Sequence, residues 1–227
     1  MIVLRDITYA YPHSTFNLNI PRLEVQSGEH LALTGASGCG KTTLLRIFAG
    51  ILVPHSGQVR VFDREMTALG DATRRQLRIC SIGQVFQTFE LIESLRLIEN
   101  ILLPFMINGA LTLDADARQR ARLLAETAGL EKQLQQPVSR LSQGERQRVA
   151  ICRALVTKPP LILADEPTGN LDSKTSQSAM QLLHDQARIS GSTFVAVTHD
   201  HGCLHSFDRT VDFSDLTAVQ AGRGDSS

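Results

Sequence analysis

The sequence predicts an α/β fold: a mostly parallel sheet, with an antiparallel β subdomain near the N-terminus and an inserted helical subdomain. Three observations predict it. A glycine-rich loop, Gly35-Ala36-Ser37-Gly38-Cys39-Gly40-Lys41-Thr42, stands between the apolar run 30–34 and the helical run 43–49. Two later runs, 161–165 and 193–198, have the continuous apolar character of strands buried on both faces. Helical patterns at 144–156 and 173–189 alternate with them. Strand–helix alternation builds a parallel sheet that binds ligands at the carboxyl ends of its strands.

Each element has a local cause. The first thirty residues alternate weakly (Val3, Arg5, Ile7, Tyr9, then Phe16, Leu18, Ile20, then Leu23, Val25). Turn signals at Pro12-His13-Ser14 and Ser27-Gly28 punctuate them, which suits antiparallel strands. A second strand pair is expected around 58–62. The arginine-rich stretches 74–78 and 118–122 sit among helix formers and acids, and read as solvated helix faces. From about 89 to 140 the chain leans helical: Leu91, Leu95, Ile98 and Leu102 fall at heptad-like spacing, and 117–128 forms a second run. Pro104, Gly109 and Pro137 divide this stretch. The expected organisation is one domain over 1–220, a helical subdomain at about 89–145, and a disordered tail at 221–227.

Composition excludes several classes. A chain of 227 residues suits one large domain or a core with a modest inserted subdomain. Hydrophobic residues make up 42% and charged residues 20%, as in ordinary globular proteins. Lys+Arg and Asp+Glu are both 23, so no net field draws the chain to nucleic acid, and no nucleic-acid partner is expected. The apolar runs fall short of the ~18–20 residues of a membrane span. The start, Ile2-Val3-Leu4-Arg5-Asp6, has no signal-peptide pattern. Cys39, Cys80, Cys152 and Cys203 form no C-x-x-C pair, so neither zinc nor a disulfide framework is indicated. The expectation is a reduced, cytoplasmic protein.

The loop 35–42 is a complete G-x-x-x-x-G-K-[ST] phosphate loop, so the core is of the P-loop NTPase kind. Its glycines let successive backbone N–H groups of Gly35, Ala36, Ser37, Gly38, Cys39 and Gly40 curl toward phosphate oxygens. The start of the helix at Thr42-Thr43 adds a partial positive charge. Lys41 reaches the β- and γ-phosphates, and the Thr42 hydroxyl ligates Mg²⁺. The ligand is a nucleoside triphosphate. Run 161–165 ends in Asp165-Glu166. A carboxylate there is an outer partner for hydrated Mg²⁺, and an adjacent glutamate can orient or deprotonate an attacking water. Ser142 lies 23 residues before Asp165, in Leu141-Ser142-Gln143-Gly144-Glu145. Ser142 and Glu145 have the spacing of a capping box, and a capped helix start containing a glycine offers N–H groups and a hydroxyl to an anion.

This ordered set resembles the ATP-binding subunits of ABC transporters over roughly residues 2 to 215. The resemblance implies that Ser142 and Gly144 meet the γ-phosphate of an ATP held by a second copy. It makes Tyr11, 24 residues before Gly35, the aromatic that stacks on adenine, with Tyr9 as a competitor. Gln87 matches the Q-loop glutamine that senses Mg²⁺ and the attacking water. Gly169-Asn170-Leu171-Asp172 matches the D-loop, with Asp172 crossing a dimer interface, and His199 matches the switch histidine on the γ-phosphate. Segments 81–91, 99–104 and 164–172 look like the ATPases of lipoprotein-release, macrolide-export and cell-division systems. In that group, ATP-driven closure is often passed on as mechanical work. The signature departs from the family's usual L-S-G-G-Q at Gln143 and Glu145.

The implied function is ATP hydrolysis by a homodimer that clamps two ATP and drives a separate membrane permease. Glu166, His199, Lys41 and Gln87 would carry the chemistry, and Thr42, Gln87 and Asp165 the metal. A soluble ABC ATPase acting on nucleic acid or ribosomes, and a non-catalytic regulatory subunit, are the alternatives.

Overall fold

The computed structural model describes residues 2–169 and 171–217. The tail 221–227, expected to be disordered, and Asn170 of the D-loop segment lie outside the described residues. In chain order the elements are β1 (Ile2–Ala10), β2 (Asn17–Val25), β3 (His30–Thr34), α1 (Lys41–Phe48), β4 (Ser56–Val61), β5 (Arg64–Glu65), α2 (Asp71–Ser81), β6 (Ile82–Val85), α3 (Leu97–Met106), α4 (Ala115–Thr127), α5 (Gln143–Leu155), β7 (Leu161–Asp165), α6 (Ser173–Ser190), β8 (Thr193–Val197), β9 (Arg209–Asp212) and α7 (Phe213–Thr217).

Two sheets form. The antiparallel one has the order β2-β1-β4-β5, with β1 and β2 in register from Ile2↔Val25 to Ala10↔Asn17. The parallel one has the order β6-β7-β8-β3-β9. Because successive strand residues face opposite ways, the parallel sheet feeds two cores. Leu31, Leu33, Leu161, Leu163, Val195 and Val197 join a cluster with α1 and the antiparallel sheet. Ala32, Ile162, Ala164, Phe194 and Ala196 join a second cluster with the helices α3 to α6. The predicted class is the observed one.

The region 89–96 departs from expectation. The helix begins at Leu97, so Leu91 and Leu95 precede it rather than belonging to a continuous heptad. Phe89 and Glu90 have φ of 62° and 50°, which no right-handed helix admits. Buried Asn100 holds the non-helical segment: its Oδ1 accepts the Ile92 N–H at 2.9 Å and its Nδ2 donates to the Ile92 carbonyl at 3.0 Å. Pro104 lies inside α3 instead of ending it. β6 and β9, four residues each, carry no strand pattern the sequence reading could pick out.

Candidate nucleotide-binding site

β3 delivers the chain to the phosphate loop at the carboxyl end of the parallel sheet. Gly40, at φ 117°, turns it into α1 in a conformation L residues rarely adopt. No side chain caps α1 and no acid sits in its first turn, so its N–H groups are offered to an anion. Lys41 is only 5% exposed. Its Nζ donates to the carbonyls of Gly35 and Ala36, both at 2.7 Å, so the loop wraps its own lysine. An ammonium has three donors, and among the described residues the third meets the Cys39 sulfur at 3.7 Å.

Two strand ends supply the acids and the imidazole. Thr42 Oγ1 donates to Asp165 Oδ1 at 3.1 Å, at the end of β7. Burial raises the Asp165 pKa, and the Thr42 hydroxyl partly opposes it. A hydroxyl and a carboxylate in contact form a hard-oxygen set that fits Mg²⁺, which takes one or two protein oxygens and leaves the rest to water and phosphate. Glu166 follows with φ 44°, and its N–H is fixed by the Val197 carbonyl at 3.0 Å. Its carboxylate sits between two partners: His199 Nε2 is 2.9 Å from Oε1, and Gln87 Nε2 donates to Oε2 at 3.3 Å.

A cleft of about 380 Å³ is lined by Tyr11, Phe16, Ser37, Lys41, Thr42 and Glu166, among others. A second, of about 340 Å³, opens on the other side of Glu166 beside Thr168, Thr198 and His199. The structure separates the two tyrosines. Tyr9 is buried and stacks on His55, with centroids 5.5 Å apart, whereas Tyr11 faces the first cleft and shares a hydrogen bond with Thr43 Oγ1 at 3.2 Å. The alternation of Phe16, Leu18 and Ile20 marks Phe16 as a strand residue and not as a site residue. It stands just ahead of β2 and at the cleft, with its ring centroid 5.8 Å from that of Tyr11.

The signature residues form a different cluster. Ser142 caps α5, and the capping box closes as its spacing predicts. Glu145 is turned back onto the helix start: Oε2 accepts the Ser142 N–H and hydroxyl, each at 2.8 Å, and Oε1 accepts Gln133 Nε2 at 3.1 Å. These bonds, the Ser142 N–H first, hold the Glu145 pKa below its usual value. Gly144 lies so close to α6 that a Cβ there would stand 2.7 Å from Thr175 Cγ2. Asp172 caps α6 and accepts the Thr175 N–H at 3.1 Å and its hydroxyl at 2.6 Å. Signature and D-loop segments are thus packed together, and among the described residues neither Ser142, Gly144 nor Asp172 lines the two clefts.

Known proteins resemble this chain. The family profile described as "ABC transporter" matches residues 18–169, more than half of the chain. The chain belongs to the ABC transporter family. It is 40% identical over 210 residues to the lipoprotein-releasing system ATP-binding protein LolD of Pseudomonas fluorescens, covering 91% of this chain and 92% of that one. It is 42% identical over 190 residues to the protein of the same name from Xanthomonas axonopodis pv. citri, covering 84% and 77%. A solved ATP-binding cassette, dimeric and bound to ADP and phosphate in a post-hydrolysis state, superposes with a TM-score of 0.84 at 35% identity, over 93% of this chain and 94% of that one. The ABC chain described here is an ATP-binding, ATP-hydrolysing subunit. None of its described helices is long and apolar enough to cross a membrane.

Proposed function

We propose that two copies of this ABC subunit close around two ATP, and that a separate integral membrane permease takes up the motion as mechanical work in lipoprotein release. The observation that carries this reading is the Gln87–Glu166–His199 arrangement beside Lys41 and the Thr42–Asp165 pair. Tyr11, with Phe16 beside it, stacks on the adenine. The N–H groups of residues 35 to 43 cradle the phosphates, and Lys41 exchanges a loop carbonyl for a β- or γ-phosphate oxygen. The Thr42 hydroxyl, with Asp165 and Gln87 as further partners, would hold Mg²⁺, which would neutralise phosphate charge.

Glu166 accepts the proton of the water that attacks the γ-phosphorus. Gln87 orients the same water, and His199, whose Nε2 meets Glu166 Oε1 at 2.9 Å in the nucleotide-free chain, exchanges that carboxylate for the γ-phosphate when ATP is bound. Positioning and electrostatics supply most of the rate in phosphoryl transfer, so a constellation of fixed donors suffices. Ser142 and Gly144 complete the site of the opposing copy, with Asp172 crossing between the copies. The relatives named above support the transporter reading over a nucleic-acid or purely regulatory role.

The helical subdomain, about 89–145 within a single domain over 1–220, is the element we assign to permease contact. A mostly apolar groove of about 260 Å³, lined by Ile79, Phe86, Leu103, Pro104 and Ile107, runs along its edge. Met106 and Ile107, 53% and 63% exposed, extend the apolar surface. This contact would hold the subunit at the cytoplasmic face of the membrane.

Glu166→Gln tests the reading. Turnover falls by roughly 10²–10⁴-fold, ATP still binds, and ATP shifts the variant to a dimer in size-exclusion chromatography. Wild-type hydrolysis by Glu166→Gln would remove the catalytic assignment.

A further inference from the structure

The helix that starts at the signature carries a second device near its other end. Arg153, in the last turn of α5, donates from Nη2 to the Phe89 carbonyl at 2.6 Å and from Nη1 to the Glu90 carbonyl. One guanidinium fork therefore grips two successive carbonyls. Both acceptors belong to residues in left-handed backbone. That conformation is unfavourable for non-glycine residues, and persists only where the surroundings impose it.

The gripped turn is short and internally bonded. Phe89 N–H donates to the Phe86 carbonyl at 3.2 Å, and Thr88 Oγ1 to the Glu90 carboxylate at 2.7 Å. Gln87 lies inside it, with its amide on Glu166. We infer that Arg153 is a positioning residue: it sets Gln87 against Glu166 and makes that setting depend on where the signature helix stands. The inference rests on the roles proposed above for Gln87 and Glu166. It also links both partner surfaces, because Arg153, Glu90 and Phe86 line the 260 Å³ groove, where a seated loop would bear on the fork.

Hydrolysis by the purified chain tests this in a double-mutant cycle. Lysine keeps the charge at 153 but cannot span two carbonyls as a planar fork does. A displacement of about 1 Å near the chemistry can cost ~10²-fold. Arg153→Lys is therefore expected to lower kcat by about tenfold or more, with KM for ATP changed less than about twofold. In a Gln87→Ala background the same substitution should cost nothing further. Thermal melting of each variant reads any general loss of fold, and Arg153→Gln serves in the same cycle if the lysine variant melts far below wild type. Losses at 153 and 87 that multiply, or a raised KM with kcat intact, would overturn the inference. Unchanged turnover in Gln87→Ala alone would instead remove the role of Gln87, and the assignment of Arg153 with it.

Discussion

The phosphate-loop cluster and the signature cluster are built from the same materials, a helix start and a few polar side chains, yet they are finished differently. Around the phosphate loop, Lys41, Thr42, Glu166, Gln87 and His199 line two adjoining clefts, Asp165 stands behind Thr42, and each already touches a neighbour within the set or the loop itself. Ser142 and Asp172 point their polar groups at their own helices, α5 and α6. One region is a site within a single chain. The other is a capped edge whose Ser142, Gly144 and Asp172 line neither cleft, and on that ground we assign it to the site of a second copy.

Breaking the two regions separately should give opposite signatures. Lys41→Ala removes a charge-assisted donor, worth roughly 1.5–3 kcal/mol, and should weaken nucleotide binding to the isolated chain by about 10–100-fold, read by fluorescence titration. Ser142→Ala should leave that affinity unchanged and abolish ATP-dependent dimerisation of the Glu166→Gln chain. Equal loss of single-chain affinity in both variants would erase the distinction.

Acid should also act outside the nucleotide site. At the end of β3 away from the phosphate loop, His30 meets His184 of α6, with Nδ1 atoms 2.9 Å apart and Ser206 Oγ 2.9 Å from His184 Nε2. Burial, then His30 and Arg188, lower the His184 pKa to about 4, against the opposing pull of Asp185 and Asp208. An unfolded histidine binds its proton near pH 6.5, so this stabilisation is complete above that pH and fades as pH falls toward 4. Between pH 7 and 5 the folded state should lose up to about 2 kcal/mol through this group. Urea unfolding at both pH values should show a smaller loss in His184→Asn.

The signature region has a smaller acid response of its own. The depressed Glu145 pKa stabilises the fold above the ordinary carboxylate range, and that contribution is lost as pH falls through the folded value. A carboxylate at a helix start is worth about 0.3–1 kcal/mol. Glu145→Gln should be less stable by that amount at pH 7 and equal to wild type near pH 3 in thermal melts.

Legibility in the sequence followed locality rather than that division. The phosphate loop, Asp165-Glu166 and the capping box were readable because each is a local pattern with a local cause. The turn of Glu145 back onto Ser142 was readable for the same reason. Phe16 and Arg153 were not, because their importance comes from residues distant in the chain: Phe16 from the phosphate loop, where a Cβ at Gly40 would stand 2.9 Å from its ring, Arg153 from carbonyls more than sixty positions away. The false heptad at Leu91 and Leu95 has a similar origin. Side-chain spacing allowed a helix, while the left-handed pair at 89–90 and the buried amide of Asn100 fixed another path.

The division between the regions is most directly tested by mixing Lys41→Ala chains with Ser142→Ala chains and measuring ATP hydrolysis. Each variant alone should be nearly inactive. The mixture should recover activity, because an intact phosphate loop on one chain then faces an intact signature on the other. A mixture as inactive as its parts, or full turnover by Ser142→Ala alone, would contradict the account.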